Sequence, residues 1–203
     1  MPLRIGLDFD NTLIDYDDAF AELAVEQGLT QAGQAASKRE VKEALFGLPE
    51  GERLWMGLQG YVYGRGIAKG KLIDGVAAFL TKAKSRGDTV FIVSHKTEFG
   101  HFDETRTDLR EAARGWMKAQ GFFEKLGLDL ENIFFKPTRD EKVAKIASLN
   151  LDVFVDDLPE VLTHQDFPNH VKKLYFAPVG TNCPQGLIHC PDWEAIDGAT
   201  FGV

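Results

Sequence analysis

Cysteine is scarce in this chain: two residues, Cys183 and Cys190, among 203 are too few for a disulfide framework. His189 stands beside Cys190, but a structural zinc takes four ligands at tighter spacing, so the pair reads as two reduced thiols in a Pro-rich C-terminal loop. Long hydrophobic runs are missing too, since no apolar stretch approaches the ~20 residues of a membrane span. The opening MPLRIGLDFD carries acids where a signal peptide needs an unbroken apolar run. A soluble, cytoplasmic protein without a membrane partner is expected. Basic charge is in deficit: 23 Lys plus Arg stand against 31 Asp plus Glu, a formal net charge of −8. That balance argues against a duplex nucleic-acid partner, which needs clustered cations for phosphate contacts. It does not argue against a small anion, because a few local cations or a bound metal overrule net charge. No internal repeat is visible, and 44% hydrophobic with 27% charged residues is ordinary for a globular chain.

What is present is an alternation of short apolar runs with amphipathic segments. Leu3 to Phe9 reads as a buried strand of a parallel sheet. Asp17 and Asp18 offer an N-cap for a helix carrying Phe20, Leu23 and Ala24 and ending near Gly28. Thr30 to Ser37 is a polar connection, and Lys38 to Phe46 a second helix. From Gly47 to Gly70 the sequence is Gly-rich and aromatic, with no clean period of 2 or 3.6. Asp74 to Arg86 predicts a helix closed by Gly87, and Thr89 to Val93 a β-branched strand. Leu109, Ala112, Ala113, Trp116 and Met117 fall on one helical face. Ile133 to Phe135 is a short strand, Val143 to Leu149 a helix, Leu151 to Val155 a strand, and Val171 to Phe176 the last strand. The pattern predicts an α/β fold with a Rossmann-like, three-layer α/β/α core and a parallel sheet. Residues 16–72 interrupt it as a mostly helical insertion, leaving 1–15 and 73–203 as the core.

Ligands of open α/β sheets sit outside the carboxyl ends of the strands. The first strand ends in Asp8-Phe9-Asp10-Asn11-Thr12, the second in Ser94-His95-Lys96, and the strand after Asn150 in Asp156-Asp157. Four carboxylates brought to one edge repel unless a positive charge sits among them. A hard dication such as Mg²⁺, which takes a couple of carboxylates with waters and substrate phosphate, resolves that conflict. On a continuing strand Asp8 and Asp10 share a face, so one carboxylate can attack while the other handles the proton.

These motifs, in this order, resemble those of the haloacid dehalogenase (HAD) superfamily. Asp8, Asp10 and Thr12 match its first motif, Phe91-Ile92-Val93-Ser94 its second, Lys142 in Arg139-Asp140-Glu141-Lys142 its third, and Phe154-Val155-Asp156-Asp157 its fourth. The resemblance covers about 1–15 and 73–180. It implies a phosphatase in which Asp8 is the nucleophile and forms an aspartyl-phosphate. Asp10 then protonates the leaving oxygen and activates water. Asn11, Thr12, Ser94, His95 and Lys142 are the implied phosphate contacts, and Asp8, Asp10 (through its carbonyl), Asp156 and Asp157 the implied Mg²⁺ site. Members that are dehalogenases lack the second Asp, and ion pumps carry Thr there, so Asp10 points to phosphate-ester chemistry. Lys136, just after a strand and before Pro137, is the alternative motif lysine. Lys96 is placed either on a substrate anion or in a loop with only its backbone near the site.

The resemblance also makes the insertion a cap over a small phosphorylated metabolite, of the sugar phosphate or nucleoside monophosphate class. Its stretch Gln59 to Gly66, with Tyr61, Tyr63 and Arg65 amid glycines, serves either to grip the substrate or as a hinge and packing element. Phosphotransfer or phosphomutation on the same scaffold, and a catalytically idle binding module, are the competing readings. A receiver-type domain fits less well, because the acidic signature is split by a long insertion.

Overall fold

The computed structural model describes residues 1–103 and 105–202. These fall into two units, one of Met1–Leu13, Leu72–Lys96 and Gly121–Val203, the other of Ile14–Lys71 and Thr97–Gln120.

The first unit is built on a six-stranded parallel sheet of β1 (Arg4–Leu7), β4 (Thr89–His95), β5 (Ile133–Lys136), β6 (Val153–Asp156), β7 (Lys172–Phe176) and β8 (Ile188–Cys190). The strand order is β5-β4-β1-β6-β7-β8. Short strands β2 (Ile14–Asp15) and β3 (Lys71–Leu72) pair separately. The central strand β1 is fixed in register by Leu7 against both Ile92 and Val155, and every ladder of the large sheet is parallel. Its burial on both faces follows from Ile5, Gly6 and Leu7, all without exposed surface. A Cβ at Gly6 would lie 2.4 Å from Phe154 Cδ2 and 2.5 Å from Leu151 Cδ1, so only glycine leaves room for Phe154 in the layer beneath.

Helices α6 (Arg139–Ser148) and α7 (Pro159–Leu162) cover one face, where Val143, Ile146, Val161 and Leu162 join Phe91, Val93, Phe154 and Tyr175 in one apolar cluster. Phe176, next to Tyr175, points to the opposite face and meets Trp193 of helix α8 (Trp193–Phe201). Trp193 in turn packs edge-on to Phe79 of helix α4 (Val76–Arg86), whose C-cap Gly87 has φ +77°. The unit is thus a Rossmann-like α/β/α sandwich. One of its strands goes beyond the sequence reading. Val171 to Phe176 is followed by a further strand, β8, and Cys190 is a buried residue of that strand rather than part of a loop. The expectation failed because β8 is only three residues long and its pattern carries no period.

The second unit holds α1 (Asp17–Glu26), α2 (Lys38–Phe46), α3 (Gly51–Tyr63) and α5 (Leu109–Ala119). Asp17 and Asp18 lie in the first turn of α1, where they suit the helix dipole, and the cap position is Tyr16. Ser37 caps α2 by accepting from Glu40 N. Helix α3 occupies the stretch that showed no period. Trp55, Leu58 and Val62 do recur at helical spacing, but Gly51, Gly57 and Gly60 dilute the stripe. Tyr16, Phe20, Trp55 and Tyr63 form an aromatic cluster, with Phe20 stacked on Trp55 at 5.1 Å and Tyr63 edge-on to Tyr16 at 4.9 Å. Tyr63 therefore serves the packing alternative of the two readings given to Gln59 to Gly66.

The division of the chain departs from 1–15 and 73–203 against 16–72. Thr97–Gln120 groups with the insertion. Trp116 Nε1 of α5 donates to Gly70 O at 3.0 Å, and the loop before α5 passes so close to α3 that a Cβ at Gly100 would lie 2.5 Å from Gly60 Cα. The amphipathic pattern of α5 shows an apolar face but not which unit that face covers.

Candidate functional site

Three neighbouring strands in the middle of the sheet, β4, β1 and β6, deliver the acids and cations to one edge. The backbone N–H of Asp8 still donates to Val155 O at 2.9 Å, which holds Asp8 in line with the β6 end. The chain then turns: Thr12 N and Leu13 N both donate to Phe9 O, and Asn11 takes a left-handed φ of +58°, a conformation asparagine tolerates better than most residues. Lys142 enters from the first turn of α6, whose N-cap Thr138 accepts from Glu141 N at Oγ1 and donates the same hydroxyl to the Glu141 carboxylate.

At the centre, Lys142 Nζ donates to Asp8 Oδ1 and to Asp156 Oδ2, each at 2.6 Å. Lys142 and Asp156 are fully enclosed and Asp8 is 4% exposed. Asp156 Oδ1 accepts from Leu158 N at 3.0 Å. Asp157 is oriented by Asn11 Nδ2, which donates to its Oδ2 at 3.2 Å. Beside them, the buried Lys96 ammonium lies 2.8 Å from Asp10 Oδ2 and 3.1 Å from Oδ1. Thr12 is completely buried and its Oγ1 has no hydrogen-bond partner, one of two such side-chain atoms among the described residues. Ser94 is 1% exposed at the end of β4.

The charges do not balance within the central group. Burial pulls the Lys142 ammonium down, but attraction to Asp156 and Asp8 overrides it and the group is held above its ordinary range. Burial pushes the Asp156 carboxyl up, and the charge of Asp8 adds to this, so Lys142 offsets only part of the rise. One cation serves three carboxylates. Asp8, Asp156 and Asp157 each offer an oxygen within 4.8 Å of the others, a spacing that a small oxygen-liganded dication spans. The donor set, all carboxylate oxygen with no Cys or His, suits a hard cation.

The structure brings Asp8, Asp156, Asp157 and Lys142 together, with Asp10 paired to Lys96 and Asn11 bound to Asp157. Lys136 is not part of this group; its carbonyl accepts from Lys96 N at 2.9 Å. The exposed ring of His95 has Nε2 2.9 Å from Pro137 O. Lys96, left between a substrate contact and a loop position, has its charge on Asp10. The readable signal was phase: with Ser94 directed to the site, Lys96 two positions on shares its side.

The acid cluster lies at the carboxyl ends of the strands, where open parallel α/β sheets bind their ligands. No protein-family model and no curated protein matches the chain. Solved structures do. A putative HAD-hydrolase from Bacillus subtilis bound to magnesium is similar at 13% identity and TM-score 0.60, with 100% of each chain covered. A HAD family hydrolase from Deinococcus radiodurans with bound phosphate and sodium is similar at 15% identity and TM-score 0.58, covering 98% of this chain and 94% of that one. The Mycobacterium tuberculosis protein tyrosine kinase A is similar at 16% identity and TM-score 0.62, covering 98% and 97%. The chain has the HAD-like hydrolase fold.

Proposed function

We propose that the protein is a Mg²⁺-dependent phosphatase that hydrolyses a small phosphomonoester, of the sugar phosphate or nucleoside monophosphate class, through an aspartyl-phosphate on Asp8. The observation that carries this reading is the buried Lys142 bridge between Asp8 and Asp156, with Asp157 adjoining and the Asp10–Lys96 pair beside it. Similar solved structures whose descriptions name hydrolases, bound magnesium and bound phosphate support it.

An oxygen of the Asp8 carboxylate attacks phosphorus, the bond from phosphorus to the ester oxygen breaks, and Asp10 gives that oxygen its proton. Water then attacks the phosphorus of the aspartyl-phosphate, its proton passes to Asp10, and inorganic phosphate leaves with Asp8 restored. Lys142 neutralises Asp8 in the free enzyme and developing charge on the phosphoryl oxygens during transfer. Ser94 near the end of β4 and Thr12 two residues after Asp10, both buried hydroxyls, supply phosphoryl hydrogen bonds. Asp8, Asp156 and Asp157 would hold Mg²⁺, with the Asp10 carbonyl as a further ligand; when bound, the ion supplies charge neutralisation for the phosphoryl group.

Hydrolysis of p-nitrophenyl phosphate and of a panel of sugar and nucleoside phosphates, with Mg²⁺ or chelator, tests the proposal. The expected result is Mg²⁺-dependent release of inorganic phosphate that Asp8→Asn abolishes while the thermal transition is kept. Undiminished turnover by Asp8→Asn refutes the role of Asp8. Phosphate delivered to an added alcohol rather than to water would instead make the protein a phosphotransferase.

A further inference from the structure

The ion pair between Lys96 and Asp10 has a geometry that a substrate-gripping lysine does not need. Lys96 Nζ reaches both oxygens of one carboxylate, at 2.8 and 3.1 Å, with the lysine side chain 2% exposed and the aspartate side chain 17% exposed. Two contacts to one carboxylate fix its plane as well as its position. The lysine is itself held from behind, because its backbone N–H donates to Lys136 O at 2.9 Å and its ammonium lies 5.6 Å from the Phe9 ring centroid. Asp10 lies on the turn that reverses the chain after β1, with Asn11 at φ +58°, and the Phe9 carbonyl is committed to Thr12 and Leu13.

We infer that Lys96 is a positioning residue: it holds the Asp10 carboxyl at the ester oxygen, so that protonation of the leaving group, and not affinity for the substrate anion, depends on it. This deepens the phosphatase reading and rests on it. Proton transfer requires the acid within about 2.6–3.2 Å of the atom it serves, and such a group contributes roughly 10²–10⁴-fold. The need depends on the leaving group. An alkyl ester leaves as a poor alkoxide and needs the proton, whereas p-nitrophenolate leaves well without it.

The experiment compares wild type with Lys96→Met and Lys96→Gln on glycerol phosphate and p-nitrophenyl phosphate, by steady-state kinetics and by rapid-quench measurement of leaving-group release. For Lys96→Met on glycerol phosphate, kcat and the first-turnover rate should fall about 100-fold with KM within about twofold. First-turnover release of p-nitrophenol should fall less than about threefold, because that leaving group bypasses the acid. Lys96→Gln, which keeps a donor toward Asp10 and a similar shape, should recover part of the alkyl rate, and it carries the same comparison if Lys96→Met does not fold. A rise in KM at unchanged kcat would show Lys96 to be a substrate contact and overturn the inference. Equal losses on both substrates, or no loss on either, would overturn it as well. In all three of these cases wild type still turns over and the phosphatase reading stands; failure of wild type itself to turn over removes both.

Discussion

Replacing Lys142 by methionine removes the cation from two buried carboxylates and leaves their packing volume nearly unchanged. Lys142 and Asp156 side chains are 1% and 0% exposed and Asp8 is 6%, so water cannot take over the lost contacts. Deleting one partner of a buried pair costs about 3–5 kcal/mol, and with two carboxylates orphaned at once the upper half of that range applies. At about 2–4 °C per kcal/mol for a chain of this size, the Tm in chelator at pH 8 should drop by about 10 °C. The loss should depend on pH. The Asp156 carboxyl is raised above its ordinary 3.8 in the folded protein by burial first and by Asp8 second, with Lys142 in opposition. A carboxyl raised by folding favours the fold while it is protonated, so its contribution is full below about pH 4 and is lost as pH rises through the folded value. Without Lys142 that value rises further, and the deficit against wild type should be larger at pH 8 than at pH 5, where the orphaned carboxyls take up protons. Lys142 itself, raised above 10.5, contributes at both pH values and does not reverse the trend. Mg²⁺ at about 100 times its dissociation constant should return about 2.7 kcal/mol to the variant at pH 8. Thermal melts followed by circular dichroism at the two pH values, with chelator or Mg²⁺, measure all three effects. A variant within about 2 °C of wild type at pH 8 in chelator would refute the argument, as would a deficit larger at pH 5.

Two further outcomes are expected. Gly100→Ala puts a methyl 2.5 Å from Gly60 Cα, a backbone atom that has nowhere to move, and should cost about 1–3 kcal/mol and speed hydrogen exchange in α3 and the segment before α5; unchanged exchange in both would contradict the close approach. The Cys190 thiol is pushed up to about 11 by burial first, then by Asp192 and Cys183. A thiol reagent at pH 8 should therefore modify one cysteine, the half-buried Cys183, in the native protein and both after denaturation, and two fast thiols in the native protein would contradict the burial of Cys190.

Strands β1 and β4 to β7 and helices α4 and α6 could be read from the chain because each carries its own apolar pattern. Gly87 closes α4, Ser37 opens α2, and Thr138 with Glu141 opens α6. What escaped depends on partners distant in sequence. Helix α3 is stabilised by an aromatic cluster gathered from Tyr16, Phe20 and its own Trp55 and Tyr63, and its glycines, needed at least at Gly60 for the approach of Gly100, hide the stripe. The apolar face of α5 was plain, but its grouping with the insertion rests on Trp116 reaching Gly70. At the site, residue types at strand ends pointed to carboxylates around a cation. Lys142 at a helix start was preferred over Lys136 from the chain alone, but that Lys142 bonds both Asp8 and Asp156, and that Lys96 pairs with Asp10, needed distances.

The place of β1 in the sheet sets a timetable for synthesis. Leu3 N bonds the side chain of Asp88, 85 residues on, and Arg4 N that of Asp152, 148 residues on. At roughly 5–20 residues per second, β1 emerges from the ribosome about seven to thirty seconds before its β6 neighbour exists. For that interval Asp8 has no Asp156 beside it, and the apolar strand that carries it lacks its β6 edge. The acid cluster of Asp8, Asp156 and Asp157 should therefore assemble abruptly and late, when β6 docks, and a chain stalled before residue 153 would expose a sticky strand edge to the quality-control machinery of the cell.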